Sequence, residues 1–192
     1  MIFNQRIGGA GGASASIFVS GNELQSTDTV YAEKGINRAN GVWNSQRNGF
    51  EISPIEEYGD WNVTVIHNGY AKVIGVTVDA ADEFEIAVSF SSTVTLSGTF
   101  DSSYGYVMIG GTKYTSAGSY TVPMGEQVHI TVSSSSSSQR SNCQVTLDGR
   151  TVMDGSGTYD YTVGFSDCTI HFNQSRTSSW ASYYWTADIT EN

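Results

Sequence analysis

An all-β fold is predicted: two tandem β-sandwich domains behind an extended glycine-rich N-terminal arm. Three observations predict it. In residues 83–90, Phe84, Ile86, Val88 and Phe90 fall on one face, while Glu83, Glu85 and Ser89 fall on the other. A period of two is how a half-buried strand reads in sequence. The same alternation recurs in short runs to the C-terminus, and no helix longer than a turn or two is expected. With 21 glycines and 2 prolines among 192 residues, the turns between runs must rely on Gly, Asn and Asp.

Residues 1–16 form the arm. Residues 8–16 read Gly-Gly-Ala-Gly-Gly-Ala-Ser-Ala-Ser, too small and flexible to make a core. In an isolated protein this is a loose leader. In an assembly it is a docking arm that orders on a neighbouring subunit, with Ile2, Phe3 and Ile7 as apolar anchors.

The first sandwich is expected over residues 17–91, with strands at 17–19, 29–33, 41–43, 50–53, 61–67, 71–78 and 83–90. Asn68-Gly69 is a type I′ hairpin signal. Pro54, lacking an amide proton for a ladder, is expected to end the strand before it. The second sandwich is expected over residues 92–192, with strands at 93–100, 105–109, 113–115, 127–133, 144–147, 151–153, 158–163, 168–173 and 183–189. Gly110-Gly111 and Asp148-Gly149 read as hairpin turns. The serine run 133–138, with residues 139–142 after it, reads as a mobile loop with nothing to bury.

Composition narrows the function classes. Eleven Tyr, eight Phe and four Trp supply enough apolar surface to argue against disorder throughout. Nine basic against nineteen acidic residues give a net charge of -10. Scattered Lys and Arg do not make a phosphate-tracking groove, so nucleic-acid binding is disfavoured. No run reaches the length of a membrane helix, so no membrane insertion is expected. Residues 1–7 lack the basic-then-apolar layout of a secretion signal. Action outside a cell would then require another route, such as assembly into a particle released by lysis. Cys143 and Cys168 start strands that run in opposite directions, which places them at opposite ends of the sandwich. A disulfide needs Cα atoms within roughly 7 Å, so two buried free thiols are expected.

Catalytic chemistry finds little footing. His129 and His171 sit on the outward side of their strands, and His67 lies at a strand end where it can reach water. None has metal-ligand spacing. No Gly-x-Ser-x-Gly elbow occurs. Glu56, Glu57 and Asp60 could be drawn as paired carboxylates, but they lie in a short connector where a solvated turn explains them. Asp79, Asp82 and Glu83 share one turn, and Asp154, Asp160 and Asp167 are spread over others, without a spacing that makes six to eight oxygens converge on calcium. No enzyme, no catalytic residue, no metal and no cofactor are expected. Aromatic placement is the best case for ligand binding. Tyr104, Tyr106 and Met108 are expected to point outward and Trp180 to lie in a loop, together an interface or a sugar-stacking platform. Trp61, Tyr183 and Trp185 read as core or edge packing.

Specific residues carry a resemblance. Residues 49–54, then Tyr58-Gly59-Asp60-Trp61-Asn62-Val63-Thr64-Val65, Asn68-Gly69 and residues 71–78, resemble the tyrosine-glycine-threonine-tryptophan β-module. That module is a cousin of carboxypeptidase-regulatory-like sandwiches and recurs in virion and tail proteins of phages and prophages of Gram-positive gut bacteria. This copy departs from the pattern in carrying Asp60 where threonine is usual. Residues 106–116, 120–126 and 145–152 resemble the immunoglobulin-like (Ig-like) module that often follows it. The resemblance covers nearly the whole chain apart from the first sixteen residues.

It implies a virion structural or accessory protein, assembled in the host bacterial cytoplasm. Such a protein docks through its arm on other virion proteins and projects Ig-like domains. The tail, baseplate included, is favoured slightly over decoration of the major capsid protein. Multiple copies or a homo-oligomer are implied, since avidity makes a weak contact effective. The rival is a carbohydrate-binding module that attaches to host-surface glycan through Tyr104, Tyr106 or Trp180.

Overall fold

The computed structural model describes residues 14–176 and 182–192. The arm anchors Ile2, Phe3 and Ile7, and the loop residue Trp180, lie outside the described residues. The fold is all-β, and the chain divides into two compact units, Met1–Phe90 and Ser91–Asn192.

The first unit has seven strands: β1 (Ala15–Ser20), β2 (Thr29–Lys34), β3 (Asn37–Asn44), β4 (Gly49–Ile55), β5 (Gly59–His67), β6 (Tyr70–Val78) and β7 (Glu83–Ala87). Their order is β6-β5-β2-β3-β4-β1-β7. Residues 37–40 of β3 pair with β2, whereas residues 41–44 pair with β4. One strand thus changes sheets midway, which is how a continuous sheet turns a sandwich corner. Ile17, Val19, Val30, Ile52, Val63 and Val65 are buried between the layers.

Four elements depart from expectation. β1 begins at Ala15, inside the expected arm: a methyl group is enough to fill that core position, and Ala15 is fully buried opposite Ile55 while Ser16 pairs with Glu83. β3 begins at Asn37, four residues before the apolar alternation starts. Cross-strand contacts hold that polar half: the Arg38 guanidinium lies 3.5 Å from the Tyr31 ring centroid and 3.3 Å from the Glu33 carboxylate. β4 does not stop at Pro54. It runs to Ile55, because Pro54 falls in a bulge where the register jumps from Ile17↔Ile52 to Ala15↔Ile55. A bulge needs no amide proton at the extra residue, so proline is tolerated there. β7 ends at Ala87, although Val88 and Phe90 remain buried as the period of two requires.

The second unit contains β8 (Ser91–Gly98), β9 (Gly105–Ile109), β10 (Thr112–Tyr114), β11 (Gly118–Pro123), β12 (Gln127–Val132), a 3-10 helix (Ser137–Asn142), β13 (Gln144–Leu147), β14 (Arg150–Asp154), β15 (Gly157–Thr162), β16 (Cys168–Arg176) and β17 (Tyr183–Glu191). One sheet has the order β10-β9-β12-β15, the other β11-β8-β16-β17-β13-β14. Val94, Leu96, Val107, Ile130, Ile170 and Phe172 lie at the centre of the core. β11 was not among the expected strands. Only Tyr120 and Val122 alternate toward the core there, too short a pattern to stand out.

The serine run is not a loose loop. Ser134 is 4% exposed, and its hydroxyl donates to the Tyr183 carbonyl at 2.9 Å. The Trp185 amide donates to the Ser133 carbonyl at 3.1 Å, and the Ser135 amide donates to the Tyr183 carbonyl at 2.9 Å. A side chain small enough to bury and able to hydrogen-bond back to the chain lets a polar run cross a core edge.

Both cysteines are buried and free. β17 serves as a ruler. Cys143 precedes Gln144, which pairs with Thr186, whereas Cys168 pairs with Glu191. Six residues of strand separate the two levels, roughly 20 Å. Burial pushes both thiols up from their ordinary range, which keeps them protonated and unreactive.

Candidate interaction surfaces

The outer face of the β10-β9-β12-β15 sheet holds part of the expected aromatic platform. Tyr106 and Met108 alternate outward from the buried Gly105 and Val107. Lys113 covers Tyr106, with its ammonium 3.5 Å from the ring centroid. Beside them His129 meets Asp160 directly across the β12–β15 ladder at 2.6 Å, and Thr131 meets Thr158 at 2.9 Å. The face is a set of mutually satisfied cross-strand pairs.

Tyr104 corrects the expectation that it points outward. It precedes β9, in a turn, so strand alternation does not govern it. Its ring stacks on Trp185 at 5.4 Å and 17° and packs against the core. Trp185 itself lies against Gly105, where any Cβ would overlap the indole. Trp61 and Trp185 are buried and Tyr183 half-buried.

His67 also departs from expectation. It does not reach water but is 7% exposed. Its Nδ1 lies 2.9 Å from the Asp28 carboxylate, and its Nε2 lies 3.0 Å from the Asn68 side-chain amide. Asp28 also accepts from the Gln25 amide at 2.8 Å. A His–Asp pair acts as a base through the second ring nitrogen. Here that nitrogen is already engaged by Asn68, and the pair closes the turn before β2 against the end of β5. No sequence signal marked Asp28, because its partner is 39 residues away.

Several other carboxylates are likewise tied to neighbours. Glu57 accepts from Asn37 at 2.7 Å and Asp60 accepts from Thr77 at 2.7 Å. Asp82 caps the Glu83 amide at 3.1 Å, and Asp167 accepts from the Thr93 amide at 2.6 Å. His171 contacts the Ser97 hydroxyl at 2.8 Å. Among the described residues no group of three or more His, Cys, Asp or Glu converges on a point.

On the first unit, an open hollow of about 470 Å³ lies over the outer face of β3 and β4. Val42, Trp43, Asn44, Gln46, Glu51 and Ser53 line it, and Val42 is 69% exposed. Near it sits a clamp that sequence reasoning did not find. Phe18 occupies an outward position on β1 yet is only 4% exposed. The Arg47 guanidinium covers its ring at 3.6 Å and is held by Glu83 at 2.6 and 2.8 Å and by Glu85 at 2.8 Å. A planar cation gripped by two carboxylates shields an aromatic face without being desolvated itself.

The hydrogen bond from Arg47 holds the Glu83 carboxyl below its ordinary range. A carboxyl with a depressed pKa contributes stability above its unfolded value, and the contribution is lost as pH falls through the folded value. Replacing Arg47 with alanine should return Glu83 to the ordinary carboxylate range. Carbon-detected NMR titration checks this, and an unchanged Glu83 midpoint would refute the clamp.

No family model matches the chain, and no curated protein matches it. Among solved structures, one titled "The Bacillus anthracis TIE protein" aligns with 93% of this chain at 10% identity and a TM-score of 0.34. The chain spans about a third of that protein's length, 34%. A likeness at this level carries no argument about function.

Proposed function

We propose that the protein is a non-enzymatic bacteriophage virion protein. It docks on the tail or baseplate through its N-terminal arm and projects its two sandwich units, with the tail favoured slightly over capsid decoration. One observation carries most of the weight. All three histidines and several of the carboxylates are engaged in local or cross-strand pairs, and among the described residues no three such groups converge. Such surfaces suit assembly and display rather than turnover. The module resemblance supplies the virion setting.

Deleting residues 1–14, which spares the buried Ala15 and the rest of β1, tests the reading. The truncated chain should fold with an unchanged melting temperature but fail to join particles when it competes with full-length protein during assembly. Undiminished incorporation would overturn arm docking. A glycan array decides for the rival: saturable binding lost on Tyr106→Ala, in a protein that does not join particles, would make it a carbohydrate-binding module.

A further inference from the structure

The edges of the sheets are not alike. β7 carries Glu83 and Glu85, β10 has three residues including Lys113, and β15 carries Asp160. β11 ends in Pro123, and β14 carries Arg150 and Asp154 against a bulged neighbour. Short length, charge, proline and bulges are the devices that keep an edge from recruiting another strand. β6 has none of them along its outer row. It is nine residues long and pairs with β5 without a register break. Among the described residues β5 is its only sheet neighbour.

The hairpin sets which backbone groups face outward. Asn68 and Gly69 have φ of 47° and 84°, the type I′ turn. The closing pair His67↔Tyr70 is then hydrogen-bonded, and the bonded positions on β6 continue as 72, 74, 76 and 78. Ala71, Val73, Gly75 and Thr77 therefore direct their N–H and C=O groups away from β5. These four residues are small and exposed, with Val73 at 61%. Lys72, the sole charge on the strand, lies in the other row and donates to the Ser89 carbonyl at 3.2 Å.

We infer that β6 is a self-pairing edge, on which a second copy of this chain adds its own β6 antiparallel about a two-fold axis at Ile74. The strand is complementary to itself in that register. Ala71 lies opposite Thr77, and Val73 lies opposite Gly75, so the largest outward side chain meets the smallest. In the other row Ile74 meets Ile74 and Lys72 meets Val76. The two lysines stand about four residues apart along the ladder, roughly 13 Å, beyond a physiological Debye length. Four pairs exchange two hydrogen bonds each. The dimer closes, because each β6 edge is consumed and the opposite edge, β7, is guarded by its glutamates. The contact is smaller than a standard interface, so the isolated dimer is weak and its Kd falls near the micromolar range or above. The edge pairs in the isolated protein, whether or not the protein joins a particle.

Sedimentation velocity on the full chain from about 1 µM to about 1 mM tests the inference. A monomer–dimer equilibrium is expected, tightened by salt because each copy carries a charge of -10. Val73→Lys, a change at an exposed position, should weaken dimerisation at least about tenfold with the melting temperature unchanged. Register is tested by oxidation. Ile74→Cys should crosslink to its own copy, Ala71→Cys should not, and the native thiols are buried. A monomer at all concentrations, a dimer indifferent to Val73→Lys, or crosslinking as efficient at residue 71 as at 74 would each overturn it.

Discussion

Replacing Gly98 with alanine should destabilise the second unit by at least about 3 kcal/mol, the sum of two costs. The first is conformational: φ is +92°, and holding a non-glycine residue there costs about 1–3 kcal/mol. The second is steric. A Cβ at Gly98 would overlap the Phe172 carbonyl oxygen and stand 2.9 Å from its backbone C and N. Those atoms belong to the β8–β16 ladder, in which Phe172 pairs with Gly98, so no side-chain rotation relieves the clash. At about 4–8 °C per kcal/mol for a unit of this size, the melting temperature should fall by about 12 °C or more. Gly110→Ala separates the two costs. Its φ is +54° with nothing within 4 Å of a Cβ, so only the smaller conformational cost applies. Equal melting temperatures for the two variants would show that the Phe172 contact does not constrain the ladder.

Trp185→Ala should cost the second unit about 3–5 kcal/mol, the range for deleting a buried aromatic. The indole is 2% exposed, stacks on Tyr104 and lies against Gly105. Its removal leaves a cavity beneath a ring that has lost its partner. Trp185→Phe should cost much less. The indole Nε1 is buried and has no hydrogen-bond partner among the described residues, and an unsatisfied buried donor costs about 1–3 kcal/mol. Phenylalanine gives up volume but removes that donor, so the two terms largely cancel. Urea unfolding of both variants checks the balance. A phenylalanine variant as damaged as the alanine one would mean that shape rather than the orphan donor dominates the site.

Alternation made most of the strands legible. Where apolar residues recur every second position, as in Phe84, Ile86, Val88 and Phe90, only one register buries them, and the local pattern suffices. It was blind where a strand is held by cross-strand partners instead of a core face. The polar half of β3 rests on Arg38 over Tyr31, and the serine run is fastened by Ser134 to the Tyr183 carbonyl. β4 ran past Pro54 because a bulge with β1 made the missing donor harmless. The interaction surfaces were legible only in part. Tyr106 and Met108 follow from alternation, but Tyr104 stands in a turn, outside its reach.

From composition and periodicity alone came the all-β class, the hairpin at Asn68-Gly69 and the two thiols kept apart. These depend on hydrophobic period and local turn geometry, which are written in adjacent residues. Only the folded chain decided that His67 is enclosed by Asp28 and Asn68, that Phe18 lies under Arg47, and that β6, among the described edge strands, is the one with an unguarded outer row. Each of those rests on which strands become neighbours, a property of long-range pairing that no short window of sequence contains.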